Sequence, residues 1–200
     1  MSRSALAALA CLLLVPASTL AAARPKFPER YTGAISGTYS AAKDGVTRQN
    51  AWTIKDATFR LERVRPAEGS WTGFYEVTKG TVAYRETETG PCTYSIDDEF
   101  ALKPSMPKRT ISTPFFMRRS LLSKETYDGR LDVTKKFRVA ESCDYGDGAE
   151  VSFRTVEPPN FFDTGEARGK IGRALKGRFV YKDDFRNATT TWKWSLRPAR

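Results

Sequence analysis

The sequence predicts an all-β protein, an antiparallel β-sandwich or β-barrel of roughly 8–10 strands, with a cleaved N-terminal signal peptide in front of it. Two features of the body point to strands. Apolar and polar residues alternate in short runs, the period of a chain whose successive side chains face opposite ways. Gly, Pro, Asp and Asn stand between the runs, where they turn a chain sharply. The third feature points to architecture: connections are short, so neighbouring strands should pair, and a sandwich or barrel hides or removes the sheet edges that result.

The first element is the leader. Met1 to Ala23 has a basic start at Arg3, an apolar run from Ala5 to Val15, a break at Pro16 and Leu20-Ala21-Ala22-Ala23 before Arg24. That is the layout of a secretory signal with a small-residue cleavage site, so residues 1–23 are expected to leave and residues 24–200 to form a single exported domain. Cys11 sits inside the apolar run with Leu12 to Val15 still to come, which argues against a lipid anchor on it. No later stretch approaches the roughly 20 apolar residues of a membrane-spanning helix, so the exported body is expected to be soluble.

After a Pro-containing leader segment, Arg24 to Arg30, the strands follow in order. Tyr31 to Ala41 is rich in Thr, Ser, Tyr and Gly and opens the sheet. In Ala51 to Val64, Trp52 and Ile54 alternate with polar residues, then Ala57, Phe59 and Leu61 do so on the other side of Asp56. Trp71 to Val77 and Gly80 to Thr87 read as the next pair, and Gly90-Pro91 turns the chain into Cys92 to Leu102. Leu131, Val133, Phe137 and Val139 share a parity in Arg130 to Ala140, as do Val151 and Phe153 in Glu150 to Val156; Asp144 to Gly148 between them suits a hairpin turn. Phe179 with Tyr181, and Trp192, Trp194 and Leu196 before Pro198, mark two further strands. Two stretches break the pattern. Thr113 to Lys124 reads as a helical turn or buried connection, and Pro158 to Gly177 as a long loop with a short basic helix near Ala167 to Leu175.

Composition removes much chemistry. The chain has no histidine, which excludes imidazole-based Ser and Cys triads, His-ligated zinc or copper and a histidine pH switch. Of three cysteines, Cys11 leaves with the leader and Cys92 and Cys143 remain as an even pair, expected to form a disulfide outside the cytoplasm. The absence of Cys-x-x-Cys spacing makes it a staple without a redox role. A formal charge of +10 favours anionic partners such as envelope polymers, lipid headgroups or nucleic acid.

Candidate sites are few. Asp97-Asp98-Glu99 is the densest acidic cluster, and strand alternation would place Asp97 and Glu99 on one face, where a carboxylate pair could do acid–base work or hold a cation. A solvated strand bend is the plainer reading. Asp144 and Asp147 lack the spacing of a calcium loop, and Asp183-Asp184 reads as a turn. Ser40-Ala41-Ala42-Lys43 has the Ser-x-x-Lys pattern without the Lys-Thr-Gly and Ser-Asp-Asn that give it meaning, and Gly165 to Lys170 fails the phosphate-loop pattern. Gly69-Ser70-Trp71 resembles the Gly-x-Trp start of lipocalin-like barrels but lies about 45 residues past the leader rather than on a first strand, so no ligand residue carries over. Asn187-Ala188-Thr189 is a glycosylation sequon, idle in a bacterium.

The basic loop is the strongest candidate. Arg168, Lys170, Arg173, Lys176 and Arg178 fall within eleven residues, preceded by Phe161 and Phe162. Exposed rings beside a cationic loop would suit an anionic surface, while a solvated loop whose phenylalanines tuck into the core is the plainer reading. The expected protein is therefore a secreted or periplasmic β-domain that binds rather than catalyses, with an anionic surface polymer or a partner protein as target and no cofactor, metal or specific nucleic-acid motif. The alternatives are a carboxylate-dependent glycan hydrolase, which needs only two acidic groups flanking the bond, and a barrel carrying a small apolar ligand.

Overall fold

In the computed structural model, which describes residues 24–67, 70–102, 115–120, 125–131, 135–144, 146 and 148–199, every regular element is a strand. The leader, residues 1–23, and Asp147 lie outside the described residues. Twelve strands follow in order: β1 Arg30–Lys43, β2 Val46–Ala67, β3 Ser70–Thr89, β4 Cys92–Ala101, β5 Phe115–Ser120, β6 Glu125–Leu131, β7 Phe137–Asp144, β8 Ala149–Val156, β9 Phe162–Asp163, β10 Ala167–Arg168, β11 Leu175–Asp183 and β12 Ala188–Ala199. The count exceeds the expected range partly because β9 and β10 are two residues each.

All pairs are antiparallel and belong to one twelve-stranded sheet with the order β10-β6-β5-β3-β2-β1-β12-β11; β4 branches from β3, β7 from β4, β8 from β7 and β9 from β6. The sheet is strongly curled. β6 and β12 are five steps apart along that order, roughly 24 Å in a flat sheet. Yet the Trp194 indole N–H donates to the Tyr127 hydroxyl across 2.9 Å, and the rings meet edge to face. The ladder is not continuous from β10 to β11. Residues 169–172 bridge that gap, with the Gly169 N–H donating to the Glu125 carbonyl and the Gly172 N–H to the Tyr31 hydroxyl.

Bulges explain why two strands run to 22 and 20 residues. In β2 the buried residues change parity, from Trp52 and Ile54 to Ala57 and Phe59, around Asp56, which adopts a φ of 53°. The register with β3 shifts at the same place, and a bulge bends its strand. The complementary slip in β3 corrects one expectation. Trp71 to Val77 and Gly80 to Thr87 are halves of a single strand, joined through Thr78 and Lys79 without a turn. The first half pairs with β5 and the second with β4 on the same edge.

Aromatic rings fill the concave face. Tyr31, Phe59, Tyr75, Tyr84, Tyr127, Phe161 and Phe162 are almost fully buried, with Trp52, Trp192 and Trp194 close behind. One expectation about the long loop is corrected here, and of the two readings of its phenylalanines the buried one holds. No helix forms near Ala167 to Leu175: that stretch holds β10, a turn and the start of β11. Phe161 and Phe162 do not protrude, since both have no exposed surface. The Trp52 N–H donates to the Phe161 carbonyl at 2.7 Å and the Trp192 N–H to the Asn160 carbonyl at 3.0 Å, so two indoles fasten the segment as a strap across the concave face. Phe161 meets Trp52, Tyr84 and Phe100, and Phe162 meets Phe59 and Trp194. Fully burying two phenylalanines contributes about 3–6 kcal/mol before the entropy of ordering the segment is counted.

Two other stretches depart from expectation. Within Thr113 to Lys124 the described residues, 115–120, form strand β5 and not a helical turn. Val151 and Phe153 share a parity but face solvent, each 64 % exposed, because β8 is an edge strand on a hairpin that hangs off β4. That hairpin is joined to β4 by the pairs Cys92↔Cys143 and Thr93↔Ser142 and by the disulfide between the two cysteines.

Candidate functional site

Strand alternation gives the sheet two faces of opposite chemistry. The concave face holds the rings and, at one end, a buried ionic cluster. Glu86 on β3 is 1 % exposed. Its carboxylate accepts hydrogen bonds from the Tyr84 and Tyr94 hydroxyls and from Arg48 Nε, the last at 2.6 Å. Asn50 Nδ2 donates to the Tyr84 hydroxyl at 3.0 Å. Arg154 of β8 continues the cluster: it lies 4.4 Å from the centre of the Tyr94 ring, with Nη2 2.6 Å from Glu88 and Nε 2.9 Å from Glu141. Burial, followed by hydrogen bonding to Glu86, pushes the Tyr84 and Tyr94 hydroxyls above the usual phenol range. Two guanidinium groups thus serve three carboxylates, and their ion pairs tie β2 to β3 and β8 to β3 and β7.

The convex face carries short polar side chains and a groove of about 880 Å³. The ladder registers place its lining in rows running across the strands. Arg178 on β11 is opposite Lys193 on β12, which is opposite Ser36 on β1, then Thr53 on β2, Ala83 on β3 and Glu99 on β4. The next row runs Thr191, Thr38, Ala51, Arg85 and Asp97. Six strands give a track roughly 24 Å long at the usual strand spacing. Its middle is open because Ser, Thr and Ala are short. Its ends are charged: Arg178 and Lys193 at one, Asp97 and Glu99 at the other, with Arg85 Nε 3.1 Å from Asp97.

The candidates from the sequence fall on both faces. Asp97 and Glu99 share the convex face, while Asp98 points the other way and pairs with Lys135. The Asp97 side chain is 73 % exposed and pairs with Arg85 in solvent. Asp144 accepts the Gly146 N–H in its turn, and Asp183 accepts that of Arg186. Asp128 on β6 is pushed above the usual carboxylate range by burial first, then by the charges of Asp163 and Glu166. Among the described residues one group of potential metal ligands comes together, Cys92, Glu141 and Cys143, but both sulfurs are consumed by the disulfide.

Of the five loop cations, Arg168 stands on β10, Lys170 and Arg173 on the turn after it, and Lys176 and Arg178 on the convex side of β11; all five are exposed. Arg178 alone of the five lines the groove. It faces Lys193 directly, and like charges opposite one another across a ladder are destabilising. Neither has a carboxylate within ion-pair reach among the described residues. Lys193 was missed in the sequence because it sits in the tryptophan strand, far from the loop. The signal that could have found it was its parity: it is the outward residue between Trp192 and Trp194. No protein-family model, curated protein or solved structure matches the chain.

Proposed function

We propose that this is an exported, non-catalytic binding domain that takes an extended anionic polymer of the cell envelope, an acidic glycan, across the convex face of its sheet. One observation carries the reading: the ladder row that leads from the facing cations Arg178 and Lys193 onto a track of small hydroxyl side chains. An anionic group between the two cations relieves their repulsion, and the hydroxyls of Ser36, Thr38 and Thr53 offer donors and acceptors to sugar hydroxyls. The exposed cations Arg168, Lys170, Arg173 and Lys176 add attraction without register, which raises encounter rate more than affinity. Export is supported by the leader sequence and by a disulfide that suits an oxidising compartment.

The test is retention on immobilised heparin as a model acidic glycan, eluted with salt. Replacing Arg178 and Lys193 by Gln is expected to bring elution forward more than replacing any two of Arg168, Lys170, Arg173 and Lys176. Equal shifts for all pairs would mean unspecific charge attraction, and unchanged retention would remove the site. Mass spectrometry of the exported protein should find Arg24 as the first residue.

A further inference from the structure

The convex groove adjoins a second cavity of about 360 Å³ on the same face, and Thr38, Ala51 and Arg85 line both. The second cavity continues one row further along the strands, where Ser40 is opposite Gln49 and Gln49 is opposite Thr87. Its walls are therefore hydroxyls, an amide and one cation, Arg85. Lys55 also lines the groove, but on the opposite flank, and it does not line the second cavity.

Asp97 holds the Arg85 guanidinium. Arg85 Nε lies 3.1 Å from the Asp97 carboxylate, and both side chains are open to solvent. A pair so exposed contributes little, so Arg85 can exchange one carboxylate for another at small cost. Ala51 faces Arg85 from β2, and its single methyl group leaves the guanidinium a path away from Asp97 and over the cavity. An arginine fork binds a carboxylate or sulfate group through two parallel hydrogen bonds, which gives a position as well as an attraction.

We propose that this cavity is a second anion subsite of the convex track, in which Arg85 takes an acidic group of the ligand by releasing Asp97. The proposal rests on the reading of the convex face as an acidic-glycan site, and it adds a spacing. From Lys193 to Arg85 is three ladder steps and two residues along the strand, roughly 16 Å between backbone positions. The preferred ligand carries acidic groups at that separation, and Asp97 competes with the second of them for the guanidinium.

Isothermal titration calorimetry with heparin oligosaccharides of graded length, at about 0.15 M salt, tests this. Wild-type affinity is expected to step up at the length that spans Lys193 to Arg85, and Arg85→Gln is expected to abolish the step. Asp97→Asn, which frees Arg85, should tighten binding of the long oligosaccharides roughly fivefold, the size of one exposed charge contact. Glu99→Gln changes the net charge equally without freeing an arginine, and its gain should stay below about twofold. Arg85, Asp97 and Glu99 are all exposed, so the circular-dichroism spectrum should be unchanged in each variant. A gain from Asp97→Asn no larger than that from Glu99→Gln overturns the second subsite, as does a length step that survives Arg85→Gln. If the oligosaccharides do not bind wild type, or bind it no better than the variant with both Arg178→Gln and Lys193→Gln, the track itself falls and the subsite with it.

Discussion

At the residue scale, the buried carboxylate and the exposed one should behave very differently. Glu86→Leu leaves Arg48, Tyr84 and Tyr94 without their common acceptor and should cost about 3–5 kcal/mol in urea unfolding. Asp97→Ala breaks a solvent-exposed pair with Arg85 and should cost less than about 1 kcal/mol. The phenols set an alkaline limit. Burial pushes Tyr31 up to about 12, and Tyr75, Tyr84, Tyr94 and Tyr127 are raised as well. A raised acid favours the protonated folded state. The unfolded chain ionises from pH of about 10, so this stabilisation is complete below that value and is lost as pH climbs toward the folded-state values. Unfolding midpoints should fall steeply above pH of about 10, in step with tyrosinate absorbance; a flat profile would mean that the phenols are not held in the core. None of this was legible in the sequence, where Glu86 is one of many strand carboxylates. What singles it out is its parity, shared with Val82 and Tyr84.

At the scale of the element, two tryptophans depend on glycines opposite them. Gly37 faces Trp52 and Gly177 faces Trp194 in the ladder. A β-carbon at either glycine would lie 2.1 Å or 2.3 Å from the indole Cζ2. The rings therefore lie flat over bare backbone, a device known for rescuing glycine in strands. Gly37→Ala and Gly177→Ala should each cost about 1–3 kcal/mol by overcrowding, measured as a lowered Tm. Where alternation was unbroken, as in β12, the strands could be read directly, because a period of two survives in the sequence. Where bulges shift the phase it could not: β3 read as two strands because its inward residues change from odd to even near Lys79. The hairpin between β1 and β2 was legible and overlooked, since Asp44-Gly45, both at positive φ, is the pairing that two-residue turns favour.

For the molecule as a whole, the all-β class followed from periodicity, but the single curled sheet did not, because curl depends on which distant strands the strap brings together. Phe161→Ala, which empties the space shared by Trp52, Tyr84 and Phe100, should cost about 3–5 kcal/mol. The staple acts on the unfolded chain. Closing a loop of 51 residues removes roughly 4 kcal/mol of its entropy, so reduction should lower Tm without altering the circular-dichroism spectrum of the folded protein. The convex track was invisible in the sequence because its residues come from six strands and only the registers align them.

The strap also equips the protein with an optical gauge of its own integrity. Two indole groups, on Trp52 and Trp192, are shielded from water and tied to main-chain oxygens of residues 160 and 161. If that segment lifts, both fluorophores meet solvent at once and their emission moves to the red. Loosening of the interior could thus be followed without any added dye, and told apart from detachment of the β7–β8 hairpin, which contains no tryptophan.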